Sequence, residues 1–117
     1  MKPPNLYLLV LRVSDLERSE HFYSAFGYQI SHEKHGNGPA HISVKAGSLI
    51  LELYPVSSTS GATSGARLGF EVEDTSTVLQ ALVKAGGTLI QPIRDVDWGK
   101  CAVVADPDGH KIELLEI

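Results

Sequence analysis

The first half of the chain repeats weakly in the second at an offset of 59 residues, and this duplication limits the architecture more than any other feature. Leu9, Leu11 and Val13 fall on Leu68, Phe70 and Val72, Asp15 falls on Asp74, Gly27 on Gly86, and Ile30 on Leu89. Each copy reads as a strand, a helix and then three strands, so the expected fold is α+β, built from two βαβββ modules. Module one spans residues 5–54 and module two residues 67–117, joined by residues 55–66, a small and polar run that reads as a flexible link. A chain of 117 residues fits one domain, and neither module is large enough to stand alone.

Local punctuation repeats with the pattern. Residues 6–13 alternate as a strand, and Ser14-Asp15-Leu16-Glu17 reads as a capping box before a helix that places Leu16, Ser19, Phe22 and Phe26 on one face. In the second copy residues 67–72 form the strand, Asp74 caps a helix carrying Val78, Leu82 and Ala85, and glycines follow both helices. Further strands are expected at 28–34, 39–45, 48–54, 88–94, 99–105 and 110–116, with Asp106-Pro107-Asp108-Gly109 as a turn.

Strand alternation divides these residues into two faces. Tyr7, Leu9, Leu11 and Val13, with Leu49, Leu51, Leu53, Leu68, Phe70, Val72, Ile112 and Leu114, form an apolar face for the helices. The opposite face mixes Leu8, Val10 and Arg12 with Ile50, Glu52, Tyr54, Arg67, Glu71, Lys111 and Glu113, as a ligand cavity would. A sheet face turned to solvent explains the same mixture.

Several functions are disfavoured by composition. The net charge of −4 with unclustered basic residues lacks a nucleic-acid footprint. The N-terminal apolar stretch is too short to span a membrane. Cys101 is the single cysteine, which rules out an internal disulfide and fits a reducing compartment, with the cytoplasm as the expected location.

Arg-Val-Ser-Asp-Leu-Glu-Arg-Ser near the start, with Phe22-Tyr23 after it, and Asp-Pro-Asp-Gly-His-Lys-Ile-Glu-Leu near the end make the chain resemble the vicinal oxygen chelate superfamily. That superfamily includes glyoxalase I, extradiol dioxygenases and bleomycin resistance proteins. The resemblance implies a curved mixed sheet around a cavity, often completed by a second chain, so a homodimer is expected. In metal-dependent members, His and Glu ligands occupy four positions that correspond here to Leu8, Glu52, Arg67 and Glu113. Leu8 has no lone pair, and Arg67 is cationic with no acceptor. No cofactor is therefore expected; if a divalent metal is present, Glu52 and Glu113 are the residues left to hold it.

The leading expectation is a metal-independent protein that binds an organic molecule in an apolar cavity with a charged Glu/Arg cluster. The ligand-binding candidates are Leu8, Tyr54, Glu52, Arg67, Trp98 and Glu113. Arg67 beside a glutamate would form a charge-assisted pair, which serves either ligand recognition or structural cohesion. Tyr54 and Trp98 offer stacking surfaces, or packing. The alternative function is a lyase, isomerase or dioxygenase with a metal relocated to Glu52 and Glu113; a third is an interaction module. His41 reads first as a surface imidazole and otherwise as a general base at the cavity rim, and no histidine shows metal-ligand spacing. Cys101 reads as a small core residue, and whether it or Ala102 faces the cavity depends on register.

Overall fold

The computed structural model describes all of residues 1–117. Its elements run β1 (Leu8–Val13), α1 (Leu16–Ser24), β2 (Ile30–Glu33), β3 (His41–Ala46), β4 (Leu49–Pro55), β5 (Arg67–Val72), α2 (Thr75–Lys84), β6 (Thr88–Val96), β7 (Gly99–Ala105) and β8 (Lys111–Glu116). This is the βαβββ duplication expected from the repeat. Two open four-stranded sheets result, ordered β1-β4-β3-β2 and β5-β8-β7-β6. In each, the first and last strands of the module pair in parallel and the other pairs are antiparallel.

Both helices begin at an aspartate. Asp15 accepts from the Arg18 amide and Asp74 from the Thr77 amide, satisfying donors that a helix start leaves free. The Thr77 bond also holds the Asp74 carboxyl below the usual carboxylate range. The expected capping box does not form, because Asp15 rather than Ser14 is the cap and Glu17 falls one position early for the reciprocal bond. Ser14 is used elsewhere: its amide and hydroxyl both donate to Asp108, at 3.0 and 2.6 Å.

The apolar faces meet in one core that draws on both modules, including Leu11, Phe22, Tyr23, Leu51, Leu82, Val104 and Leu114. Each such side chain contributes roughly 1.5–3 kcal/mol on leaving water. Where α1 meets module two the packing leaves no slack. A Cβ on Gly87 would stand 2.8 Å from Phe22 Cε1, Val104 Cγ2 and the Leu82 carbonyl oxygen. Tyr7, expected on the helix-packed face, is instead 60% exposed, because β1 starts only at Leu8.

A buried carboxylate fastens the modules together. Asp106 accepts from the Tyr23 hydroxyl at 2.7 Å, from His110 Nδ1 at 2.7 Å and from the His110 amide at 2.9 Å. Burial, reinforced by the negative Asp106, pushes the Tyr23 hydroxyl far above its ordinary value, so it remains a donor. The segment joining the modules is packed rather than merely flexible at Thr63, whose Oγ1 accepts from the Arg12 amide and lies 2.8 Å from His110 Nε2.

Two substitutions test this junction by denaturant unfolding. Gly87→Ala lowers stability by roughly 1–3 kcal/mol through overpacking. Tyr23→Phe lowers it by about 1.5–3 kcal/mol, because a buried carboxylate loses a donor. An unchanged midpoint in both would show that the modules are not held at these points.

Candidate functional site

Two groups of residues outside the core carry chemistry, one at the seam between the modules and one on the outer face of the first sheet.

The seam holds a cavity of about 450 Å³, open to solvent. Its walls are mostly apolar, with Leu9, Leu49, Leu51 and Phe70 among them, and Arg67 and Glu71 supply charge. Tyr28 also lines it, and burial raises its hydroxyl pKa, which keeps the group protonated as a donor. Phe26 packs on Phe70 with ring centres 4.5 Å apart, so the aromatic wall is braced from behind. Arg67 donates from both Nε, at 3.1 Å, and Nη2, at 2.6 Å, to Glu113 Oε1. These two expected site residues are therefore together, on the paired strands β5 and β8.

The other expected residues lie elsewhere. Leu8 and Glu52 sit on the outer face of the first sheet, which follows from their registers opposite Ile50 and Val10. Tyr54 shares that face but its ring is already engaged: the His41 imidazole stacks on it at 4.1 Å and 9°, and the Arg12 guanidinium lies 5.0 Å from its centre. Trp98 is in the turn between β6 and β7 and is 66% exposed. None of these four lines the seam cavity.

His41 departs most from expectation. It is not a surface imidazole but is 2% exposed, at the head of β3. Pairing with Glu33 on β2, and the run of Ile42 opposite Leu53, put Glu33, His41, Tyr54 and Arg12 in one row across the four strands. His41 Nε2 lies 3.3 Å from Glu33 Oε1 and 3.7 Å from Glu52 Oε2, yet makes no hydrogen bond. His35, from the β2–β3 hairpin, brings its Nε2 to 3.7 Å from Glu33 Oε1. The ligating atoms of Glu33, His35 and His41 all lie within 4.8 Å of one another, a grouping that no sequence spacing announced. Its signal was the alternation His41-Ile42-Ser43-Val44-Lys45, which assigns His41 to the polar face once Ile42 and Val44 are assigned to the core.

The remaining candidates have structural roles. Register places Cys101 opposite Leu115 and Ala102 opposite Leu114, so Cys101 shares the Glu113 face while remaining buried. His110 is fully buried on Asp106 just before β8.

The family model described as Glyoxalase/Bleomycin resistance protein/Dioxygenase superfamily matches residues 6–114. The chain belongs to this superfamily. Among solved structures it is similar to a glyoxalase-related enzyme from Fulvimarina pelagi, with 26% identity, TM-score 0.79, and coverage of 97% of this chain and 88% of that one. It is also similar to TnmS3, an antibiotic binding protein from Streptomyces sp. CB03234, with 25% identity, TM-score 0.74, and coverage of 99% and 98%. A glyoxalase/bleomycin resistance protein from Albidiferax ferrireducens T118 shares the fold at 23% identity and TM-score 0.78, over 96% of this chain and 98% of that one. No curated protein matches in sequence.

Superfamily membership brings a divalent metal into question, and the residues at the corresponding positions do not fit one. Leu8 offers no donor atom, and the Arg67 guanidinium sits on Glu113, the carboxylate that a metal there would need. Side-chain exposures of 51% for Arg67 and 27% for Glu113 make this pair weak as structural cement. Arg67→Met is expected to cost under about 1 kcal/mol in thermal or denaturant unfolding, since exposed pairs are screened. A larger loss would mark the pair as cohesion rather than site.

Proposed function

We propose that the chain binds a small organic molecule in the seam cavity, apolar wall against the ligand body and the Arg67–Glu113 pair against a polar or charged substituent. The observation that carries this reading is the cavity itself: about 450 Å³, apolar-walled, with Arg67 on its lining and Glu113 held by that arginine. That volume falls within the span of roughly 300–1,000 Å³ usual for ligand pockets. Sequestration of this kind needs no nucleophile and no metal at the superfamily positions. The antibiotic-binding relative lends the reading support. A lyase, isomerase or dioxygenase centred on Glu52 and Glu113 draws less support, since the first faces His41 on one sheet and the second is held by Arg67 on the other.

We further propose a homodimer, in which exposed apolar groups such as Leu6, Tyr7, Ile90 and Trp98 are covered by a second copy. No helix is long and apolar enough to cross a membrane, and the buried free thiol of Cys101 fits a reducing compartment such as the cytoplasm.

Thermal-shift and equilibrium-dialysis measurements with bleomycin and with planar aromatic antibiotics test the ligand reading. Saturable stabilisation is expected, reduced by Arg67→Gln and abolished by Leu49→Arg, which would plug the cavity. Binding that survives Leu49→Arg places the ligand elsewhere. Sedimentation is expected to return twice the mass of the chain, with Trp98 emission shifting to the blue on association; a monomer at all concentrations sinks the dimer.

A further inference from the structure

We propose that Glu33, His35 and His41 form a binding site for a divalent transition ion of the zinc type, built from residues at none of the superfamily's four metal positions, although Glu52 adjoins it, and away from the seam cavity. None of the three residues lines that cavity, so this inference stands apart from the ligand reading.

His41 carries the argument. Its side chain is 1% exposed, and its Nδ1 lies 3.1 Å from the Pro39 carbonyl oxygen. A carbonyl can only accept, so the ring proton sits on Nδ1 and, in the neutral ring, Nε2 presents a bare lone pair. That lone pair faces two carboxylates, Glu33 at 3.3 Å and Glu52 at 3.7 Å, and has no donor to meet it. A buried lone pair turned toward anionic oxygens is unfavourable until a cation stands between them. An imidazole fixed through its outer nitrogen by a backbone carbonyl is also how metal-ligating histidines are usually held. The parallel Tyr54 ring at 4.1 Å keeps the imidazole from rotating away.

Spacing and chemistry select the ion. With metal–ligand distances near 2.0–2.1 Å, neighbouring ligand atoms of a tetrahedral zinc lie about 3.4 Å apart. The two edges through Glu33 Oε1 are 3.3 Å to His41 Nε2 and 3.7 Å to His35 Nε2. Two imidazoles and one carboxylate suit zinc and its borderline neighbours; calcium and magnesium prefer oxygen alone. His35 is 73% exposed on the hairpin, giving the ion a route in from solvent, and three protein ligands leave a fourth position for water or a ligand oxygen. Glu52 adds a second carboxylate on the same side, 3.7 Å from His41 Nε2.

The test uses tag-free full-length protein, stripped with chelator and titrated with Zn²⁺ alone by calorimetry, with Co²⁺ absorption as a second readout. One equivalent is expected to bind, and Co²⁺ is expected to give the intense visible bands of a four-coordinate site. His35→Ala and Glu33→Gln, both at the surface, should leave the metal-free melting temperature unchanged while weakening zinc binding at least about tenfold. Glu113→Gln should bind zinc as the parent does. Absence of saturable binding, or binding that survives both His35→Ala and Glu33→Gln, overturns the site. Loss of antibiotic binding at the seam would not bear on these results.

Discussion

The Asp106 carboxylate is the interaction on which the placement of everything else rests. It is buried, and it gathers a hydroxyl from α1, an imidazole and two amides from its own turn. A charge taken out of water is tolerated only when its lone pairs are met in this way. Because Tyr23 belongs to module one and Asp106 to module two, meeting that requirement brings α1 against the second sheet. Asp108 repeats the contact at the helix start, accepting from Ser14 and Ser19. The seam cavity is what remains between two halves whose separation is set at this end by hydrogen bonds and by the absent Cβ of Gly87.

Duplication explains the scaffold, and divergence explains the sites. Across the first sheet the outer-face row reads Arg12, Tyr54, His41, Glu33; across the second, the paired positions are Glu71, Leu115, Cys101 and Arg94. The ladders are nearly the same, so backbone geometry offers both modules the same row of side chains. In the first it sets an imidazole beside a carboxylate; in the second a thiol and a leucine stand at the corresponding places. On the second sheet Arg67 instead places a cation against the glutamate beside it.

Much of the architecture was legible in the amino-acid order because it depends on local rules. Period-two alternation assigned Leu11, Val13, Leu51, Leu53, Ile112 and Leu114 to the core correctly. The paired Asp and Gly residues bounded the helices, although Ser14 was drawn away from a cap to serve Asp108. The candidate sites were less legible because they arise from contacts between strands distant in sequence. Arg67 could be expected beside Glu52 or Glu113, but which one it meets, and the cavity next to it, depend on how Tyr28, Leu49 and Phe70 come together across modules. His41 was misjudged because burial at the end of a strand depends on what lies over it, here Tyr54 and the hairpin, and alternation specifies only the direction of a side chain.

The anchoring of Thr63 has a consequence for how this protein behaves at high concentration. An open sheet ends in a strand whose outward amide and carbonyl invite another chain to dock. On β1 those groups at Arg12 are already taken, the amide by Thr63 Oγ1 and the carbonyl by the Thr63 amide at 3.0 Å. The connecting segment thus covers that border at Arg12, and shortening it would leave these groups free to pair with another chain.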